Sequence, residues 1–241
     1  DIYFMVNIVA IDPSLISTAI VVNGKMINYC RESKVYVKNG MSKWFKMAEP
    51  FVTYRFVDYH KFDNYSDGEL IKLKDYDTIT DNIIKDILDN IDKTKPTKIG
   101  IEGYNFGASV GDLVDLVTFS TLLRKKLYDN VSKDIWVLSP STLKLEACKL
   151  TYKPEIKEIG GKKKRTEYIY RNNIGVSGGK FTKNDILLSI IENDWFEDDW
   201  AKHCKSIKDD ILPSVNVPKP YEDINDSFFI YKTLQKKETQ S

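Results

Sequence analysis

Cysteine is scarce in this chain: Cys30, Cys148 and Cys204 are the only three, and no CxxC pair occurs among them. That spacing excludes a zinc ribbon, argues against a disulfide framework and suits a reducing, intracellular setting. Histidine is scarcer still. His203-Cys204 is adjacent rather than ligand-spaced, and His60 and Cys30 have no local partners, so a Cys/His metal site is not expected. No apolar run approaches the ~20 residues of a membrane span, and no signal-peptide pattern appears, so a soluble protein without membrane contact is expected. Charge of neither sign is in excess: 36 Lys+Arg against 35 Asp+Glu leave a formal net charge of +1. Bulk charge is therefore silent on nucleic acid, and only local clustering can speak for it. The GxxxxGK[ST] phosphate loop of an ATPase is missing, as is any internal repeat. Met5 is a candidate natural start, preceded by residues 1 to 4.

What is present is enough apolar material for a full core. With 42% hydrophobic residues in 241, the chain reads as one α/β domain over 1–241, with probable insertions at 36–75 and 146–177. Strands are expected at 6 to 11, 17 to 22 and 26 to 31, and "NGK" at 23 to 25 supplies an Asn-Gly hairpin turn between the last two. Residues 41 to 75 are rich in aromatics and could extend the sheet or form a separate arm. Apolar Ile79, Ile83, Ile84, Ile87, Leu88 and Ile91 recur at helical spacing from Thr78 to Asp92, and Pro96 follows as a stop. The strand "KIGIE" comes next, then a glycine-containing loop "GYNFGAS", a helix over 110 to 128, and a strand "DIWVL".

Residues 150 to 180 combine Pro154, two Gly-Gly pairs and "KKKR" at 162 to 165, and read as an exposed, flexible basic insertion. Helices at 182 to 193 and from about 222 to 236 close the chain. The order β-β-β-α-β-α-β-α-α predicts a mixed sheet, its first three strands antiparallel and the later ones parallel, flanked by helices on both faces.

Acids at strand ends are the chemical signal. Asp12 ends an otherwise apolar first strand, where a carboxylate loses hydration and needs a hydrogen-bonded turn or a cation. Glu102 ends the fourth strand, and Asp223 and Asp226, three apart at the start of an apolar helix, lie on one face of it. Convergence of these four would make an oxygen-rich site for hard Mg²⁺ or Mn²⁺, and two such ions about 4 Å apart clamp the attacking and leaving oxygens of a phosphodiester. Each acid also has a plainer reading: Asp12-Pro13-Ser14 as an Asx-type turn, and Asp223 as a helix cap. Glu102 has no turn or capping duty to perform.

At this point the sequence resembles the RuvC-like Holliday-junction resolvases of the RNase H-like superfamily, especially their virus- and phage-encoded branch. The resemblance rests on "IVAIDPSLISTAIVV", "IGIEGYNFGAS", "WVLSPSTLK", "GGKFTKNDIL" and "EDINDSFFIY", which occur in the family's order. It implies Asp12, Glu102, Asp223 and Asp226 as catalytic ligands of two Mg²⁺ or Mn²⁺ ions, with Lys183 as a catalytic basic residue near the scissile phosphate. It also implies a homodimer, with the helix at 110 to 128 at the interface, that resolves four-way or otherwise branched DNA and leaves nicks bearing a 5′-phosphate. Asp12 would be the ligand shared by both ions.

Tyr104 and Phe106 are read either as platforms for unpaired bases or as ordinary loop anchors; base stacking is worth about 1–3 kcal/mol. Lys144, Lys162, Lys163, Lys164, Arg165 and Lys180 are candidate DNA contacts, with Arg171 beside them, against the plainer reading of a solvated basic loop. Two rival functions share the fold. One is the nuclease domain of a viral DNA-packaging terminase; the other is a module that binds branched DNA without cutting it.

Overall fold

The computed structural model describes residues 5–38, 40–104, 110–160, 165–171, 180–214 and 216–240. In chain order the elements are β1 (Asn7–Asp12), β2 (Ser17–Val22), β3 (Lys25–Cys30), α1 (Glu32–Val35), β4 (Tyr36–Val37), β5 (Gly40–Met41), α2 (Lys43–Ala48), β6 (Val52–Phe56), α3 (Tyr65–Asn90), β7 (Thr97–Glu102), α4 (Val110–Asn130), β8 (Ile135–Leu138), α5 (Pro140–Thr151), β9 (Glu155–Ile159), β10 (Arg165–Ile169), α6 (Lys183–Glu192), α7 (Asp199–Ser206), α8 (Lys208–Ile211) and α9 (Tyr221–Gln240).

The first three strands form the expected meander. Asn23 and Gly24 both take positive φ, 49° and 88°, as the tight turn between β2 and β3 requires. Antiparallel pairing sets Ile11 opposite Ile20 and Asp12 opposite Ala19, while β7 joins the other side of β1 in parallel and β8 follows it. The sheet order is β6-β3-β2-β1-β7-β8, a mixed six-stranded sheet with β6 and β8 at its edges. β1 is thus central and parallel to β7, so Asp12 and Glu102 finish at the same edge of the sheet.

Side-chain alternation splits the core into two layers. Val9, Ile11, Ile20, Val22, Ile99 and Ile101 face α3 and α4, against Ile83, Ile87, Phe119 and Leu123. Ile8, Ala10, Ala19 and Val21 face the other way, onto α5, α6, α7 and α9, against Leu143, Ile186, Trp200, Phe228 and Ile230. Asp12 continues the second series and therefore points toward α9. Gly100 allows that helix to sit close: a Cβ there would lie 2.4 Å from Ile230 Cγ2.

Three expectations need correcting and one open alternative is decided. The helix expected from Thr78 begins at Tyr65, because Asn64 caps it by accepting from the Asp67 N–H at 3.0 Å. The segment 36–75 does extend the sheet, since β6 pairs in parallel with β3, and it then supplies the first half of α3. Residues 146 to 151 complete α5 rather than open an insertion, with Ala147 and Cys148 in the core. The expected basic loop contains an antiparallel hairpin, β9 on β10, whose Ile156 and Tyr168 are exposed. All three cysteines are free and buried. Among the described residues no helix is long and apolar enough to cross a membrane.

Candidate metal centre

Asp12 is delivered by the last position of a fully buried strand, and the turn that follows is closed by other groups. Ser14 N–H donates to Thr18 Oγ1 at 3.1 Å, and that hydroxyl donates to Ser14 O at 2.7 Å. The Asx-type duty is thus carried by Thr18. Tyr59 holds the next residue by donating to Leu15 O at 2.6 Å.

Glu102 comes from the end of β7, one strand away. The third carboxylate comes from α9, whose first turns are pinned from two sides: Ser227 Oγ donates to Ala19 O of β2 at 2.9 Å, and Trp200 Nε1 of α7 donates to Asn225 Oδ1 at 2.9 Å. His203 Nε2 and Tyr221 OH lie 2.8 Å apart within a stack that includes Phe51. Burial lowers the His203 pKa and favours the neutral ring.

These supports bring one carboxylate oxygen each from Asp12, Glu102 and Asp226 within 4.8 Å of one another. Asp12 and Asp226 are 7% and 1% exposed, and Glu102 beside them is half-buried. Such crowding has an electrostatic signature. Burial first, and then the neighbouring Glu102, push the Asp12 carboxyl well above the usual carboxylate range, with Lys183 opposing only in part.

Asp223 is one helical turn before Asp226 and equally buried, yet it stands outside the three-oxygen group and carries a lysine of its own. Lys219 pairs with Asp223 and lies 3.5 Å from Glu222, while Lys183 pairs with Asp226 and lies 3.8 Å from Glu222. Burial raises the Asp223 pKa, against the pull of Lys219. Loss of hydration disfavours the Lys219 charge, but Asp223, Glu222 and Asp12 outweigh it and its pKa rises.

Two buried carboxylate oxygens, Asp223 Oδ2 and Asp226 Oδ1, have no hydrogen-bond partner. An ionised oxygen left this way is costly unless a cation takes it. All-oxygen donors, clustered and partly orphaned, fit a hard divalent ion of the Mg²⁺ or Mn²⁺ type.

The remaining sequence candidates fall in several places. Lys183 is the first residue of α6, held there by a capping box between Thr182 and Asp185. Tyr104 is anchored to α4: Arg124 stacks 4.5 Å from its ring centroid and its OH is 2.9 Å from Thr121 Oγ1, which favours the loop-anchor reading. Lys144 is half-buried on α5 and Lys180 is exposed ahead of α6. Arg171 pairs with Glu192 and donates to Tyr152 OH at 2.6 Å, so it is engaged within the protein rather than presented to phosphate. Phe106, Lys162, Lys163 and Lys164 lie outside the described residues, as does the side chain of Arg165.

Sequence reading missed Lys219, Glu222, Trp200 and Asn225. Lys219 had a usable signal, since a lysine three and four residues before Glu222 and Asp223 has the spacing of a helical ion pair.

No protein-family model and no curated protein matches the chain. Among solved structures it is similar to Thermus thermophilus RuvC in complex with a Holliday junction substrate, at 9% identity and TM-score 0.41, over 98% of this chain and 96% of that one. It is also similar to a second Thermus thermophilus RuvC structure, at 10% identity and TM-score 0.45, over 97% of each chain.

Proposed function

We propose that this chain is a divalent-metal-dependent endonuclease that hydrolyses phosphodiesters of branched DNA, four-way junctions foremost. The observation that carries the reading is the convergence of Asp12, Glu102 and Asp226 with orphaned carboxylate oxygens beside them. A module that only binds DNA gains nothing from buried negative charge facing phosphates, so this cluster favours cutting over binding alone. The choice of junctions over other DNA comes from the sequence motifs, "IVAIDPSLIST" and "EDINDSFFIY" above all.

Asp12, Glu102 and Asp226 would hold one Mg²⁺ or Mn²⁺ ion and Asp223 would contribute to a second, with Asp12 shared. Ions held there would supply a nucleophilic water at neutral pH and would neutralise charge on the departing 3′-oxygen. Within the chain, Lys183 at the start of α6 offers an ammonium to a non-bridging phosphate oxygen. Its pairing with Asp226 keeps that ammonium at the acid cluster until DNA arrives. The products are nicks bearing 5′-phosphate. A homodimer places two such sites on opposing strands, and α4 is the proposed interface.

End-labelled four-way junction, flap, fork and linear duplex, incubated side by side in Mg²⁺, Mn²⁺ and EDTA, test this. Paired symmetric nicks on the junction alone, dependent on metal, are expected. Equal cutting of all four substrates would move the assignment to a broader nuclease such as a packaging terminase's, and tight junction binding without cutting in either metal would leave a binding module.

A further inference from the structure

The two aspartates of α9 each carry a lysine on one oxygen and an orphaned second oxygen, and they differ in the acids that surround them. Asp226 belongs to the three-carboxylate group, and its Oδ1 is orphaned there while Lys183 sits on Oδ2. Asp223, 3% exposed, stands outside that group with Lys219 on Oδ1 and its Oδ2 likewise orphaned, so its near countercharge is that ammonium. Lys219 is held by two acids of the same turn, Asp223 and Glu222, and Glu222 also lies 3.8 Å from Lys183. An ammonium fixed in this way is a point charge placed where a second divalent ion would otherwise be drawn.

We propose that Lys219 is a built-in cation for the Asp223 half of the site, so that without DNA the protein takes one divalent ion tightly and a second only by displacing the Lys219 ammonium. This rests on the metal-nuclease reading above and adds to it a residue that sets how many ions are bound. Lys219 is a positioning residue here: it acts through Asp223 and touches no reacting atom. Charge, rather than shape, is what it contributes. Removing the charge should therefore open the second site, and an arginine should keep it closed.

The test counts bound Mn²⁺ by electron paramagnetic resonance of the free ion, on the full chain without DNA, for wild type, Lys219→Met, Lys219→Gln and Lys219→Arg. Thermal melts confirm that each is folded. One tight and one weak ion are expected for wild type, a second-site dissociation constant at least about tenfold lower in the two neutral variants, and wild-type behaviour in Lys219→Arg. Should either neutral variant be lost to misfolding, the other and the arginine variant still decide. Two equally tight ions in wild type, or no change in a folded neutral variant, overturn the proposal and leave the nuclease reading standing. Absence of Mn²⁺ binding in every form overturns both.

Discussion

The two faces of the central sheet are made by the same strands and differ in almost everything else. Toward α3 and α4 the strands present Val9, Ile11, Ile20, Val22, Ile27, Ile99 and Ile101, and the helices answer with Ile83, Ile87, Phe119 and Leu123. Toward α9 the alternate positions carry the same kind of packing as far as Ala10, and then Asp12, Asn28 and Glu102 replace it. From α9 itself come Asp223, Asn225, Asp226 and Ser227, every one of them buried. One face is a packed apolar layer that has only stability to supply. The other gives up stability along one edge, because buried like charges and orphaned oxygens cost free energy in the absence of a cation. A protein that concentrates such groups at the ends of a strand pair and a helix is using them.

The sharpest way to break this contrast is Asp12→Asn, which removes one buried acid and changes the shape little. Cleavage of branched DNA is expected to fall to background while junction binding persists. In EDTA the same variant should be more stable than wild type at neutral pH, because the buried charge is gone. The sign follows from the raised pKa: the folded state holds the Asp12 proton more tightly than the unfolded chain does, so stability is lost as pH rises from the ordinary carboxylate range through the raised value. Urea melts of the two proteins should therefore converge on acidification, and an unchanged gap would show that Asp12 is not the strained group.

On the opposite face the expectation reverses. Ile83→Ala empties space between α3 and the sheet and should cost about 2–5 kcal/mol in urea or thermal melts. Cleavage per folded molecule should stay unchanged, since no acid moves. A large loss of specific activity there would mean that the two faces are coupled.

Gly100→Ala joins the two sides, because its new methyl meets Ile230 and pushes on α9. A cost of about 1–3 kcal/mol is expected from overpacking. Weakened Mn²⁺ binding should accompany it, as Asp226 is drawn away from Asp12 and Glu102. Stability loss with metal binding intact would show that α9 can shift without disturbing its acids.

The smallest effect is expected at His203. Burial depresses its pKa below the usual 6.5, so its neutral form favours the folded state and that contribution is lost as pH falls below about 6.5. His203→Gln, which cannot titrate, should flatten the decline in melting temperature over that range. An identical pH profile would place the acid sensitivity elsewhere.

Much of the fold was legible because its pattern was strong. The meander announced itself by continuous apolar strands and Asn-Gly, and Asp12 and Glu102 stood out because each ends a strand with a charge. The start of α3 was hidden for a physical reason. Its first turns leave Tyr65, Leu70 and Leu73 exposed, so no buried stripe marks them, and the Asn64 cap carries the information instead. β6 was hidden by its place at the edge, where Val52 alone is buried. The β9–β10 hairpin lay behind glycines and a basic run that read as loop. At the candidate site, sequence placed four acids at one end of the sheet. The spacing of Lys219 to Asp223 announces their ion pair, but that Asp223 stands outside the other three depends on how α9 is seated on the sheet, which no local pattern records.

The most direct test of the central claim is cleavage of an end-labelled four-way junction by wild type and Asp12→Asn, in Mg²⁺ and in EDTA, with binding measured on the same samples. The account predicts metal-dependent nicks from wild type, none from the variant, and junction binding by both. Nicks that persist in Asp12→Asn, or that form in EDTA, would contradict it.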